Sequence, residues 1–195
     1  MSKGRLEAFS DGVVAILITI MVLELKVPHG TELSALRPLL PALLSYLLSF
    51  VFLAIYWNNH HHLLQAARHV DGRILWANVH LLFWLSLVPF VTAWMGENFA
   101  PVPVAAYGVV LMLAGVAYYI LARALVRRHG RDSRLALAIG SDFKGRLSVG
   151  LYAVAVLLAF WEPAAACLIY VLVAITWLVP DPRIERALAA EEAAE

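Results

Sequence analysis

Two charged side chains, Arg5 and Asp11, stand at the start of the first apolar stretch of the sequence. Only 12 uncharged residues separate Asp11 from Glu24, and as a helix they span about 18 Å. A helix that crosses a bilayer here must carry Asp11 toward the membrane, where a charge facing lipid costs at least ~2.5–3.5 kcal/mol. Arg5 and Asp11 lie about 240° apart around a helix, so each needs a partner from a neighbouring helix. We therefore expect the first helix to lie inside an assembly, against protein or water.

A stripe on one face of this helix follows the acidic residue, at Gly12, Ile16, Thr19/Ile20 and Leu23. Periodicity alone favours a packing seam between helices. The alternative is that the stripe faces a symmetry axis, where rings of Ile16 and Leu23 exclude water and Thr19 is the only hydroxyl that an ion meets. Because one chain supplies one such helix, a pore of this kind requires several identical subunits in a closed ring.

Three consecutive histidines, His60, His61 and His62, suggest metal binding. On a helix they point about 100° apart and cannot converge on one ion. A pair from two helices, such as His60 with His80, stays geometrically open, but interhelical hydrogen bonds are the commoner role of such residues. We predict no metal site.

The composition excludes most other classes of protein. Of 195 residues, 62% are hydrophobic and 15% charged, with a mean hydropathy of +0.77. Water-soluble domains are nearer half apolar and a quarter charged. Apolar residues dominate and Lys+Arg (15) nearly balances Asp+Glu (14), which excludes a nucleic-acid-binding tail, and the sequence has no nucleotide fingerprint or nucleophile motif. These features predict an all-α membrane protein that is not an enzyme.

Hydropathy and helix-start signals predict six transmembrane helices. Prolines are placed in the first turn of the second, fourth and sixth helices, and Ser141-Asp142 is predicted to cap the fifth. We expect a channel domain over residues 1–180 and a short charged cytoplasmic tail over residues 181–195. The six spans are placed near residues 5–27, 38–66, 73–97, 102–126, 143–161 and 163–180.

Basic residues fix the expected orientation of these spans. With a cytoplasmic N-terminus, all but Lys26 and Arg37 of the 15 Lys and Arg residues fall on the inner side. This asymmetry follows the positive-inside rule, and one span more or fewer would destroy it. We therefore expect a multi-pass protein of the plasma membrane with both termini in the cytoplasm.

Several segments resemble the endolysosomal potassium channel family, the transmembrane protein 175 family. The segment from Arg5 to Val13 resembles its RxxxFSDGV signature, with Phe9, Ser10 and Asp11 at the FSD positions. The match continues at Ala15-Ile16, Thr19 and Leu23 to Pro28. Later segments that resemble the family are Trp57-Asn58-Asn59-His60-His61, Asn78 and Pro89-Phe90.

The resemblance implies a six-helix subunit that assembles as a homotetramer, with the first helix lining a central pore. It implies a gate of bulky apolar side chains at Ile16, Ile20 and Leu23, with Thr19 at the polar level. It also implies a structural network that ties the pore helix to the second and third helices, formed by Arg5, Phe9, Ser10 and Asp11 with Trp57 and His80.

The function that the resemblance implies is a potassium-permeable cation channel of weak to moderate potassium-over-sodium selectivity. Neither the family nor this sequence has the TVGYG carbonyl filter. The expected partners are potassium and other monovalent cations, the lipid bilayer and further copies of the chain, with no cofactor and no nucleic acid. Two alternatives stay open: a proton channel or proton-coupled secondary transporter that uses Asp11 and His80, and a metal enzyme built on the histidines.

Overall fold

The computed structural model of the protein describes residues 2–67, 69–129 and 143–178, and its regular structure in these residues is helical. A short 3-10 helix, Leu33–Leu39, precedes the second α-helix. The α-helices are α1 (Lys3–Leu23), α2 (Leu40–Gln65), α3 (Gly72–Ser86), α4 (Val88–Glu97), α5 (Pro101–His129), α6 (Phe143–Leu158) and α7 (Pro163–Leu178).

Proline and aspartate mark helix starts, as their chemistry predicts. Pro41 lies in the first turn of α2, while α5 and α7 begin at Pro101 and Pro163. In the first turn of a helix the backbone N–H has no hydrogen-bond partner within the helix, so proline loses nothing there. Asp71 caps α3, because its side chain accepts hydrogen bonds of 3.0 Å from the backbone N–H groups of Arg73 and Ile74.

The third span is broken in the middle, whereas the sequence predicts one continuous helix. α3 ends at Ser86, Leu87 stands between the helices, and α4 begins at Val88. Pro89 explains the break, because it has no N–H to donate to the carbonyl of Leu85 and its ring crowds that carbonyl. α3 and α4 together still form one 26-residue column, Gly72–Glu97.

Four helical columns of the described residues are long and apolar enough to cross a membrane: Lys3–Leu23, Leu33–Gln65, Gly72–Glu97 and Pro101–His129. α7 is a shorter apolar helix, and α6 has 16 residues, about 24 Å of helix. With α3 and α4 counted as one column, the described residues form six columns at the six predicted positions, and α6 ends three residues before its predicted end at residue 161. The prediction of an all-helical membrane protein is confirmed.

Some expectations fall outside the described residues. The division into a channel domain over 1–180 and a tail over 181–195 stays a prediction because residues 179–195 lie there. The same holds for the predicted cap at Ser141-Asp142 and for five basic residues of the orientation argument, Arg68, Arg131, Arg134, Arg183 and Arg186.

α5 is central to the bundle and packs against α3, α4, α6 and α7, while α1 packs on the other side against α2, α3 and α4. Tyr107 of α5 and Tyr170 of α7 are fully buried, with ring centroids 5.6 Å apart. The Tyr170 hydroxyl donates to the carbonyl of Val104 at 3.1 Å, so this buried polar group is satisfied. α1 is therefore a helix on one side of the bundle, with only part of its surface covered.

A close backbone approach joins α4 to α2 at Gly96. A Cβ added at Gly96 would lie 2.8 Å from the Cα of Ala42. We expect Gly96→Ala to destabilise the protein by roughly 1–3 kcal/mol, because the two backbones must separate. Thermal unfolding in detergent measures this, with Gly150→Ala as the control, since a Cβ there meets nothing within 4 Å. Equal melting temperatures for the two variants would contradict the prediction.

Candidate functional site: the first helix and its polar anchors

α1 presents two different faces. Its buried residues recur every three or four positions and form one stripe that packs on α2, α3 and α4: Leu6, Ser10, Val14, Leu17 and Met21. The residues of the predicted stripe lie on the opposite side. Ile16 is 59% exposed, Ile20 40% and Leu23 77%, and Gly12 and Thr19 are exposed as well. Within the described residues the predicted stripe is therefore no seam between helices of one chain, and it is open to lipid, water or other chains.

Thr19 is the polar member of the exposed stripe. Its hydroxyl donates to the carbonyl of Ala15 one turn earlier, at 2.8 Å. This bond satisfies the hydroxyl hydrogen within the helix and leaves the oxygen lone pairs directed away from it. Thr19 can therefore offer an acceptor to a cation without needing another donor.

A buried chain of hydrogen bonds joins the covered face of α1 to α3 and α2. Ser10 donates to the carbonyl of Leu6 at 2.9 Å and accepts from Asn78 Nδ2 at 2.9 Å. Asn78 Oδ1 and His60 Nε2 are 2.6 Å apart. Because an amide oxygen can only accept, His60 Nε2 carries the hydrogen and donates it. All three side chains joined by these hydrogen bonds are buried: Ser10, Asn78 and His60. Each supplies the hydrogen-bond partner that its neighbour needs away from water.

Asp11 is held by a different partner at the edge of the same helix. The Trp57 indole donates from Nε1 to Asp11 Oδ1 at 2.9 Å, which ties α1 to α2. The Trp57 ring stacks on His61, with centroids 5.9 Å apart. A charged acceptor strengthens such a bond. The structure therefore brings together Asp11 and Trp57 of the predicted network. Ser10 is held separately, through its hydrogen bond with Asn78.

Three residues of the predicted network have other surroundings. His80 Nε2 accepts from the Trp84 indole at 2.9 Å, on the exposed side of α3. Asn78 lies two residues before His80, about 200° around the helix, so only one of the two can face α1. Arg5 and Phe9 are exposed, and Arg5 has no ion pair within the described part of the chain.

Asn78 and His60 are the network residues that the sequence reasoning did not assign to it. The signal was available, because a buried amide in an apolar span must find hydrogen-bond partners. Two of the three consecutive histidines have partners other than a metal: His60 bonds to Asn78, and His61 stacks on Trp57. His62 contacts the His61 ring, and its buried Nδ1 has no hydrogen-bond partner among the described residues. Among residues 2–67, 69–129 and 143–178, no group of three potential ligands is close enough to hold a metal ion.

Comparison with known proteins identifies the group to which this chain belongs. A family model described as the endosomal/lysosomal potassium channel TMEM175 matches residues 5–89, which include α2, α3 and all but the first two residues of α1. A curated potassium channel of Chryseobacterium sp. (strain P1-3) is 53% identical over 189 residues, 96% of this chain and 98% of that protein. This chain belongs to the TMEM175 family.

Two further matches extend across most of the TMEM175 fold. A curated potassium channel of Streptomyces collinus is 32% identical over 158 residues, covering 76% of this chain and 77% of that protein. A crystal structure described as a lysosomal potassium-selective channel TMEM175 homolog from Chamaesiphon minutus superimposes with a TM-score of 0.78 at 32% identity, covering 90% of this chain and 96% of that one. TMEM175 proteins are membrane channels and not enzymes, which confirms the prediction of the class.

Proposed function

We propose that four copies of this chain form a potassium-permeable cation channel in which α1 of each copy lines a central pore. Potassium passes through it down its gradient. The observation that carries this proposal is the exposure of Ile16, Ile20 and Leu23 on a helix whose opposite face is fixed by hydrogen bonds. Three bacterial relatives that match most of this chain are named potassium channels, which supports potassium as the permeant ion.

The proposed gate is a dry constriction. Ile16 and Leu23 lie seven residues apart, so their rings are about 10 Å apart along the pore, with Ile20 between them. Apolar rings around a narrow axis expel water, and an ion cannot enter without its hydration shell or a substitute for it. Rotation or outward movement of α1 would widen the rings and admit water.

The proposed selectivity is weak to moderate. The sequence has no TVGYG segment to supply a cage of backbone carbonyls. Thr19 offers one acceptor per subunit, and four such oxygens replace only part of the hydration shell of an ion. We therefore expect potassium to be preferred over sodium without sodium being excluded.

The polar contacts of α1 would set its register in the closed state. Ser10 and Asp11 hold two sides of the helix, through Asn78 and Trp57. A proton relay through Asp11 and His80 has less support, since these residues bind different tryptophans, Trp57 and Trp84. The proposed location is the plasma membrane with both termini inside, as the distribution of basic residues indicates.

Reversal potentials of the purified protein in planar bilayers test the function. Under opposed potassium and sodium gradients we expect unitary currents that reverse between zero and the potassium equilibrium potential. Caesium in place of sodium ranks the cations by size. Protein-free bilayers and the Ile16→Asn variant provide the controls. Slow, saturable flux without unitary currents would instead indicate a carrier.

A further inference from the structure

An ion pair links the end of α1 to the end of α4. Lys26 lies three residues after Leu23, the last residue of α1, and Glu97 is the last residue of α4. Their Nζ and Oε1 atoms are 2.6 Å apart, as in a charge-assisted hydrogen bond. This hydrogen bond, and then the attraction of the carboxylate, raise the pKa of Lys26 above its ordinary value, so the ammonium group stays charged.

Glu24, in contrast, has no ion pair among the described residues, and it follows Leu23 directly. Its carboxylate is exposed at the same end of the bundle as Lys26. Lys26 can lie no more than about 11 Å from Leu23 along the chain. Both charges therefore stand close to the ring of Leu23 side chains that the proposed pore places at its outer end.

We propose that the Lys26–Glu97 pair neutralises a positive charge at the outer mouth of the pore and leaves Glu24 to attract cations there. This inference rests on the proposed function and adds a determinant of ion entry to it. Glu97 is a positioning residue, because it acts on ions through Lys26. Four copies around an axis multiply the effect, since without Glu97 each subunit adds one uncompensated positive charge to the mouth.

Ionic strength separates this role from a structural one. An ion pair between two exposed side chains contributes little to stability, so the loss of this pair should leave the fold intact. The field of a charge extends about 30 Å at 0.01 M salt but about 3 Å at 1 M. An effect on cation entry must therefore be large in dilute potassium chloride and small in concentrated solution.

Single-channel recording of Glu97→Gln tests the proposal. In 10 mM potassium chloride we expect roughly a threefold smaller current when potassium enters from the Lys26 side, and a smaller effect on the opposite current. In 1 M potassium chloride the variant should conduct like the wild type. Glu24→Gln should lower the same current. The double variant Lys26→Glu with Glu97→Lys exchanges the two charges of the pair, and its current should return to the wild-type level.

Glu162→Gln is the matched control. It removes one exposed carboxylate at the same end of the bundle, between α6 and α7 and away from α1. We expect it to change the current less than Glu97→Gln does. Three results would overturn the proposed role of the pair at the pore mouth: a Glu97→Gln defect that persists in 1 M salt, an equal defect in Glu162→Gln, or no defect in dilute salt. The channel proposal would still stand in each case, because the wild type conducts. Absence of wild-type currents would overturn both.

Discussion

Replacing Ile16 by asparagine is expected to increase potassium flux about tenfold, which corresponds to lowering the barrier by ~1.4 kcal/mol. Ile16 is 59% exposed within the subunit, so the substitution removes little packing inside the chain. Four carboxamides at one level of the proposed constriction would hold water where four sec-butyl groups expel it. Potassium uptake into liposomes that contain purified protein measures the change.

A polar substitution on the outside of the bundle is the control for this prediction. Leu168 of α7 is 63% exposed, close to the value for Ile16, yet α7 packs mainly on α2, α5 and α6 and not on α1. Leu168→Asn should leave flux unchanged. If Ile16→Asn forms the same oligomer as the wild type and conducts no faster, the proposed position of the pore is wrong.

Local patterns explain which parts of α1 and of the bundle could be predicted. The stripe that contains Ile16 and Leu23 follows from the helical repeat, although periodicity alone favoured a packing seam and did not predict its exposure. The approximate positions of the six columns follow from hydropathy. The break at Leu87 was also within reach, because Pro89 cannot complete the helical hydrogen bond there.

The choice of partner between helices could not be predicted in the same way. Whether Asn78 or His80 faces α1 depends on the rotation of α3 about its axis, which the packing of α3 on α5 and α1 decides together. The pairing of Lys26 with Glu97 has the same origin, because 71 residues separate them in sequence and only the tertiary fold brings them together. A resemblance in sequence identifies residue types, whereas these contacts depend on how each helix is rotated and shifted relative to its neighbours.

Asn78→Leu is expected to produce the largest loss of stability among the polar contacts of α1. Leucine has a similar volume but no amide, so the His60 Nε2 hydrogen is left buried without an acceptor, at a cost of about 1–3 kcal/mol. Ser10 keeps its bond to the Leu6 carbonyl and loses only the donor from α3. Thermal unfolding in detergent should show a melting temperature lowered by several degrees.

The double variant Asn78→Leu with His60→Leu determines whether this cost comes from the broken chain of hydrogen bonds. Removing both partners leaves no orphaned donor, so the double variant should be more stable than Asn78→Leu alone. Asn59→Leu is the matched control, because among the described residues the Asn59 side-chain amide donates to the carbonyl of Ile55 in its own helix and joins no second helix. Additive losses in the double variant would mean that Asn78 and His60 act independently. If the double variant regains stability and its potassium flux differs from that of the wild type, the buried hydrogen bonds of Asn78 control the position of α1.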